Sequence, residues 1–172
     1  KIDVLKIIRN EDSMLLFKVD SSSQGKGVHF FKKKDLSIEY LESLGNGVMQ
    51  RYINQHSFFR DISPNSVATV RITSVIDNHG EVSVNACYLR VGRNSDTHVK
   101  SSSHIRIPVN LTNGELNKYG YSTKWLKTNE HPDTKFIFKN KKIPHFDKFI
   151  STTIKSHKMV PFAICIGWDM IL

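Results

Sequence analysis

The sequence predicts an α+β protein of two lobes, each with an antiparallel sheet. Three observations indicate this class. Short β-prone runs follow one another across tight turns, which is the pattern of antiparallel hairpins. Amphipathic helices are few, and the clearest covers residues 145–157, with its apolar side chains on one face. A polar connection at residues 54–65 divides the chain into lobes 1–53 and 54–172, so we expect a ligand cleft between the two lobes.

In the first lobe the predicted order is strand, loop, strand, helix, strand. Strands are expected at residues 15–19, 28–32 and 48–53. A helix is expected to begin with Asp35 as its N-cap and to end before Gly45, because apolar residues follow Asp35 at helical spacing. Two strands joined by a flexible loop are typical of a flap that closes over a ligand.

The loop of this flap, residues 20–27, has a chemistry that suits phosphate. It is rich in hydroxyls, and Lys26 stands between two glycines, whose backbone N–H groups can form a concave anion site. It is not a P-loop, because Asp20 occupies the position of the first glycine and Gly27 follows the lysine. It is not a dinucleotide fingerprint either, because Phe30 replaces the third glycine. An ordinary surface hairpin with a polar tip remains the alternative.

In the second lobe we predict two hairpins, a helix and a final strand. The first hairpin pairs residues 67–76 with 81–91, and the second pairs 105–110 with 116–121. A long polar loop, 92–103, separates them, and loops of that length are usually functional or mobile. The remaining predicted elements are a short strand at 136–138, the helix at 145–157 and an apolar strand at 162–172.

The composition is that of a globular protein with a basic surface. Of the 172 residues, 39% are hydrophobic and 24% are charged, which excludes a disordered chain. No apolar run approaches the roughly 20 residues that a membrane-spanning helix needs. The net charge of +9 indicates an anionic partner or merely a basic surface. Because the lysines are dispersed along the chain, nucleic acid is the minor alternative.

The cysteines and histidines do not indicate a metal site. Cys87 and Cys165 lie isolated within apolar runs, so we expect two buried thiols in a reducing, cytoplasmic compartment. The first ten residues mix charged with apolar side chains, unlike a signal peptide. The eight histidines lack the spacing of zinc ligands. His131, which precedes Pro132, is expected to be a turn residue rather than a general base.

Four charged residues stand in otherwise apolar strands and are candidates for function. Lys18 and Asp169 would be costly to bury without a partner, which suggests that each faces a ligand. Arg71 and Arg90 lie on the two strands of the first predicted hairpin. Each either faces an anion, which its planar fork can bind through two oxygens, or pairs with an acidic residue at the turn of that hairpin.

These motifs, in this order, resemble the ATP-grasp fold, and in particular its sugar-transfer-associated branch. The resemblance rests first on a lysine-bearing strand (Phe17-Lys18-Val19), a Gly-rich loop at residues 22–27 and a hinge strand at 48–53. Six further motifs extend it through the second lobe: Gln55-His56, residues 67–73, residues 88–92, His131-Pro132-Asp133-Thr134, Ile143-Pro144 and Gly167-Trp168-Asp169.

The resemblance implies a ligase that activates a small carboxylate as an acyl phosphate for attack by an amine or a thiol, with ATP and Mg²⁺ as cofactors. It also implies a link to surface polysaccharide synthesis. Arg71 and Arg90 would face phosphate or the substrate carboxylate, and Asp169 would hold Mg²⁺. Lys18 would reach the nucleotide phosphates. The other residues implied in nucleotide binding are Ser22, Ser23, Gln24, Gly25, Lys26 and Gly27 in the flap, and Gln50, Tyr52 and Ile53 around the adenine.

The sequence departs from the family's pattern at several positions. The family carries a Glu and an Asn on a strand after the Trp-Asp pair, so a complete metal site would require residues beyond Leu172. Gln50-Arg51 stands where a glutamate is common, Asp96-Thr97 replaces an Asp-Asn pair, Ser103-His104 replaces two glycines, and Lys135 replaces another glycine. These departures leave open a catalytically inactive nucleotide-binding or scaffolding remnant of the same fold. The charge leaves open a basic domain that binds a polyanion or nucleic acid.

Overall fold

The computed structural model describes residues 14–22, 27–32, 35–93, 96, 99–100 and 102–172. These residues form two compact units: unit 1, which ends at Asn54, and unit 2, from Gln55 to Leu172. Each unit contains one antiparallel sheet, and the helices are few and short. The predicted α+β class with antiparallel sheets is therefore confirmed.

Unit 1 is a three-stranded sheet with one short helix. The sheet has the order β2-β1-β3, and both of its strand pairs are antiparallel. Its elements are β1 (Leu15–Val19), β2 (Val28–Phe31), α1 (Ile38–Ser43) and β3 (Gly47–Arg51). The sequence predicted all four, with β2 and β3 each ending earlier than expected.

The start of α1 differs from the prediction. The helix begins at Ile38 and its N-cap is Ser37, whose Oγ accepts a hydrogen bond from the Tyr40 backbone N–H at 3.1 Å. Asp35 is therefore not the cap. Serine and aspartate are equally good N-caps. Because Asp35 and Ser37 are only two residues apart, sequence spacing alone does not decide which of them is the cap.

Unit 2 is a six-stranded sheet of order β8-β7-β6-β5-β4-β9 with two helices. Its two longest strands, β4 and β5, pair across a turn in which the Asp77 carboxylate accepts from the backbone N–H groups of His79 and Glu81. Its elements are α2 (Ser57–Ile62), β4 (Thr69–Ile76), β5 (Val82–Val91), β6 (Ile105–Pro108), β7 (Gly120–Tyr121), β8 (Lys127–Thr128), α3 (Phe146–Lys158) and β9 (Cys165–Met170).

The core of unit 2 lies on one face of this sheet. Alternate residues of the central strands point to that face and are buried: Val70, Ile72, Leu89, Val91, Ile105 and Ile107. Phe146 and Phe149 of α3 belong to the same core. The remaining residues of these strands, including Arg71 and Arg90, point to the opposite face, which we call the open face.

The second predicted hairpin is shorter than expected. Only Gly120–Tyr121 of the predicted strand 116–121 is extended, and Leu116 forms an isolated bridge with Val109. The predicted strand at 136–138 is also wrong, because Ile137 makes only an isolated bridge with Glu130. β7 pairs with β6 as predicted, through Arg106 and Tyr121, and it also pairs with β8, whose two residues are too few to produce a visible alternation in sequence.

Among the described residues β9 stands at one end of the strand order, and its residues are exposed or half-buried rather than buried. It covers Cys165–Met170 instead of 162–172, and Phe162 is 85% exposed. Cys165 is exposed, so the prediction of two buried thiols is wrong for this residue. Cys87 is buried as predicted, and burial raises the pKa of its thiol to about 12. None of the helices formed by the described residues has the length and hydropathy that crossing a membrane would require.

Candidate functional site

Lys18 lies on the exposed face of the unit 1 sheet. It is opposite Val28 on one neighbouring strand and Val48 on the other. The side chain is exposed, so the cost of burying an unpaired lysine does not arise here, and its role in a ligand site stays a prediction. Because side chains alternate along a strand, Phe17 points the other way and is buried. The ammonium group of Lys18 therefore lies on a face where its cross-strand neighbours are apolar.

Two of the hinge residues predicted to line the adenine site, Gln50 and Tyr52, share this face. Gln50 is opposite Leu16, two positions along the strand from the Lys18–Val48 pair. The Tyr52 ring packs edge-on against Phe30, with ring centroids 6.1 Å apart. Ile53 is 43% exposed. An exposed apolar surface beside a lysine has the two properties that binding a nucleotide needs, a wall for a flat base and a charge for phosphate.

Only the two ends of the predicted flap lie among the described residues. Ser22 donates its hydroxyl hydrogen bond to the Val19 carbonyl at 2.6 Å, and the Val19 N–H donates to the Gly27 carbonyl at 2.9 Å. Gly27 has a φ of 70°, which glycine adopts without strain. The loop is therefore closed at its base like a hairpin. The other predicted flap residues, Ser23, Gln24, Gly25 and Lys26, lie outside the described residues.

The open face of the unit 2 sheet brings Arg71, Arg90 and Asp169 together. Arg71 on β4 is directly opposite Asp169 on β9. Asp169 Oδ1 lies 2.8 Å from Arg90 Nη2 and 3.2 Å from Arg71 Nη1. The acid that pairs with the arginines is thus Asp169, not Asp77 or Glu81 at the hairpin turn. Two guanidinium groups around one carboxylate leave the cluster with a net positive charge.

One further hydrogen bond holds Arg71 in this cluster, and one nitrogen of Arg90 has no partner among the described residues. Arg71 Nη1 also donates to the Gly167 carbonyl at 3.1 Å. A Cβ on Gly167 would lie 3.4 Å from the Arg71 guanidinium carbon, in van der Waals contact, which shows how closely the side chain lies against β9. Arg90 Nε is buried and has no hydrogen-bond partner among the described residues. That atom is not open to a ligand, but the partly exposed guanidinium groups carry an excess of positive charge that suits an anion.

The donor set around Asp169 does not fit a magnesium site. Mg²⁺ takes six oxygen ligands and is usually held by one or two carboxylates together with phosphate oxygens. The described residues contain no group of three His, Cys, Asp or Glu side chains that could hold a metal. Both guanidinium groups also approach the same Asp169 oxygen and oppose a cation there.

Three polar contacts near the open face were not predicted from the sequence. Arg106 on β6 is opposite Arg90, and its Nε donates to His104 Nε2 at 2.8 Å. Arg93 forms a two-bond fork with Asp133, each bond 2.6 Å long. The third is the nearly buried carboxylate of Asp96, which binds Lys100, Ser103 and the Arg93 backbone N–H. For the contact of Arg106, the available sequence signal was that Arg106, like Arg90, lies within a predicted strand.

Two buried histidines, each in its neutral form, join parts of this region through hydrogen bonds. His131 Nε2 donates to the Gly92 carbonyl, and Nδ1 accepts from the Thr134 N–H. His104 Nδ1 donates to the Lys100 carbonyl while Nε2 accepts from Arg106. Burial lowers the pKa of both, and nearby arginines add to the effect. His131 is therefore a structural residue of its turn, as the sequence suggested.

Lys135, which replaces a glycine of the family pattern, has a φ of 59°. This left-handed conformation is strained for lysine and free of strain for glycine. The Lys135 N–H donates to the His131 carbonyl at 2.9 Å, which closes the turn in spite of the substitution.

A comparison with protein-family models identifies a match. The model described as sugar-transfer associated ATP-grasp matches residues 41–172. The match includes the hinge strand and all of unit 2, while Lys18 and the flap loop precede it. No curated protein matches the chain. No solved structure matches it either.

Proposed function

Because the chain belongs to the sugar-transfer associated ATP-grasp family, whose domains bind ATP, we propose that it is the nucleotide-binding domain of a carboxylate-activating ligase. In the proposed reaction a carboxylate oxygen attacks the γ-phosphorus of ATP and ADP leaves. An amine or thiol then attacks the acyl phosphate, and phosphate leaves. The observation that carries the proposal is the pair of arginines around Asp169 on the open face of the sheet.

In this proposal Arg71 and Arg90 act on the transferred phosphoryl group. Phosphoryl transfer needs positioning and charge neutralisation more than covalent participation by the protein. The guanidinium groups are held at 3.2 and 2.8 Å from one carboxylate oxygen, so they are ordered before an anion arrives. The anion that they would meet is the γ-phosphate or the substrate carboxylate, which a guanidinium fork can bind through two oxygens.

Unit 1 is proposed to bind the nucleotide through the face that carries Lys18. The ammonium group would contact the phosphates, and Gln50, Tyr52 and Ile53 would form the adenine wall. The support is the exposure of Lys18 beside apolar neighbours, including Val48, which is 63% exposed. The loop from Ser22 to Gly27 would cover the phosphates with backbone N–H groups.

Magnesium would arrive bound to ATP, and no residue of this chain is assigned to the ion. The described donors do not complete its site, so the charge neutralisation argued above is assigned to the arginines. We place the domain in the cytoplasm, where ATP is available and where reducing conditions suit its two free cysteines. We also propose a link to surface polysaccharide synthesis, and its support is the description of the family as sugar-transfer associated.

A thermal shift with Mg-ATP tests nucleotide binding. At 100 times Kd a ligand adds about 2.7 kcal/mol of stability, which raises the Tm of a protein of this size by roughly 5 to 10 °C. We expect Lys18→Ala to weaken binding about tenfold and to remove roughly 3 to 5 °C of that shift. Lys32→Ala changes another exposed lysine of unit 1 and should keep the full shift. A full shift in Lys18→Ala would remove Lys18 from the site.

A catalytically inactive nucleotide-binding remnant is the second candidate, and one observation favours it. The charge of Asp169, the residue expected to hold the metal, is already compensated by two arginines. ADP release separates the candidates. A ligase releases ADP when a carboxylate substrate is added, and Arg90→Ala abolishes the release, whereas a remnant shows the thermal shift without turnover. Binding to DNA that weakens steeply with salt, with no effect of ATP, would favour the polyanion binder instead.

A further inference from the structure

The connection around β7 and β8 carries an unusual concentration of basic and aromatic side chains. Residues 116–129 contain no acidic residue, three lysines and three aromatic rings. The rings belong to Tyr119, Tyr121 and Trp125. A local excess of positive charge among aromatic side chains points to an anionic occupant with an apolar face.

Trp125 lies in the turn between β7 and β8, at a position where it does not stabilise the fold. Its side chain is 68% exposed. The Ser122 N–H donates to the Leu126 carbonyl and the Trp125 N–H donates to the Ser122 carbonyl, which forms a tight turn. Trp125 occupies the left-handed position of this turn, with a φ of 59°, where glycine is usual. Neither the exposed indole nor the strained backbone stabilises unit 2.

The neighbours of Trp125 form a binding platform. The Arg106 guanidinium lies over the indole, 5.5 Å from its centroid, and is itself held by His104. The Tyr121 ring is 6.2 Å away and tilted. We call Trp125, Tyr121 and Arg106 the Trp125 platform. One face of the indole is covered by a cation, and the large exposure shows that the rest of the ring is open.

Two ammonium groups beside the platform add positive charge. Lys127 Nζ lies 3.8 Å from the centroid of the Tyr119 ring, and Lys118 Nζ lies 5.0 Å from it. A hydrogen bond from Lys118 and the charge of both lysines lower the pKa of the Tyr119 hydroxyl. Because the ammonium groups occupy the face of Tyr119, Trp125 offers the available stacking surface.

We propose that the Trp125 platform binds an acidic saccharide, a sugar that carries a carboxylate or phosphate group. The C–H bonds on one side of a pyranose ring are attracted to the negative face of the indole. Arg106 and Lys127 pair with the acidic group. A single-stranded nucleic acid is a poorer fit, because its binding sites combine several stacking rings along a groove.

The proposal rests on the proposed function, because it identifies the saccharide as a substrate of the same domain. Arg90 is opposite Arg106, and Arg106 is opposite Tyr121, so these residues form one row across the sheet. Two strand spacings separate the ends of the row, about 10 Å. A sugar of ordinary size on Trp125 therefore reaches toward the arginine cluster at Asp169.

Fluorescence anisotropy of a labelled oligogalacturonate, without nucleotide, tests the platform in the full chain. We expect saturable binding that Trp125→Gly weakens roughly tenfold, since loss of an aromatic contact has about that effect. Glycine suits a φ of 59°, so the variant should be at least as stable to urea as the parent. Lys127→Gln should weaken binding several-fold. Phe162→Ala and Lys158→Gln, at other exposed positions, should leave it unchanged.

Other outcomes would overturn the proposal. One is that Trp125→Gly binds the oligogalacturonate as tightly as the parent, and another is that the parent does not bind it at all. A third is that the parent binds a neutral maltooligosaccharide of the same length equally well. Tighter binding of a dT oligonucleotide would assign the platform to nucleic acid. The Mg-ATP thermal shift is measured separately on the same variants. In the unsubstituted chain, no saccharide binding together with a normal shift refutes the platform alone, and no shift together with saccharide binding refutes nucleotide binding alone.

Discussion

At the scale of single residues, Asp169 has two possible roles that predict opposite effects of its removal. It can hold a cation, as the family resemblance implies, or it can hold Arg71 and Arg90 until an anion replaces it. The structure shows the second arrangement, with both guanidinium groups on Oδ1. The cluster is partly exposed, so the pair interactions contribute little to stability. The pairing of Asp169 with the two arginines therefore matters for ligand binding rather than for stability.

We predict that Asp169→Asn raises the affinity for metal-free tripolyphosphate by roughly tenfold. Removing one negative charge within about 5 Å of a bound phosphate changes the binding energy by on the order of 1 kcal/mol or more near a protein surface. Isothermal titration calorimetry at low ionic strength measures the change. Asp147→Asn, at an exposed position in the first turn of α3, is the matched control and should have no effect. Unchanged affinity in Asp169→Asn would show that the arginines do not bind the polyphosphate.

At the scale of elements, a buried hydrogen-bond chain joins β4, α3 and β9. His157 Nε2 donates to the Ala163 carbonyl, so Nδ1 accepts from the Ser74 hydroxyl at 2.6 Å. Ser74 Oγ in turn accepts from Trp168 Nε1 at 2.8 Å. Trp168 is half-buried and has this polar role. The buried serine and histidine are fully paired, so they are structural and not a nucleophile and its base.

We predict that Trp168→Phe lowers the free energy of unfolding by about 1 kcal/mol, the usual net value of one hydrogen bond. Ser74→Ala should cost more, roughly 2 kcal/mol, because it leaves both Trp168 Nε1 and His157 Nδ1 without their partner. The double variant should cost less than the sum, since the residues share one network. Urea unfolding measures all three.

Trp125→Phe is the matched control for this series because it makes the same substitution at an exposed position. It should change the free energy of unfolding by less than about 0.5 kcal/mol. Equal losses in Trp125→Phe and Trp168→Phe would indicate that the hydrogen bond to Ser74 contributes nothing. Strict additivity in the double variant would argue against a shared network.

At the scale of the whole molecule, the two units differ in how much apolar surface they bury. The described part of unit 1 has four buried apolar residues, Leu15, Leu16, Phe17 and Phe31, whereas sixteen form the core of unit 2. Apolar burial is the main favourable term in folding. A three-stranded sheet with so small a core is therefore the less stable part.

We predict that native-state hydrogen exchange is slowest in β4 and β5 and fastest in β1, β2 and β3. Exchange in the central strands of unit 2 should require global unfolding, whereas the strands of unit 1 should open locally at a lower free energy. Mass spectrometry of peptides from each strand measures the difference. Saturating Mg-ATP should slow exchange in β1 and β3 if unit 1 binds the nucleotide as proposed. Equal protection in the two sheets would contradict the difference in core size.

The elements that could be predicted from the sequence have strong local signals. β1, β4, β5 and α3 are long or clearly periodic, and the turn at Asp77 has the composition of a hairpin turn. β8 has two residues and the final strand mixes exposed with half-buried residues, so their patterns were ambiguous. The charged residues of the site were visible as charges in apolar strands. Their partners were not, because Arg71 and Asp169 are far apart in the chain.

The sequence by itself determined the α+β class, the family resemblance through ordered motifs, and the choice of Arg71, Arg90 and Asp169 as residues of interest. Each of these depends on residue type and local spacing. Only the tertiary structure decided that the two arginines hold Asp169, that Lys18 is exposed, and that Arg106 lies over an exposed Trp125. The physical reason is that these contacts join residues of different elements, such as β4 and β9, and local residue patterns do not specify which distant strands pair.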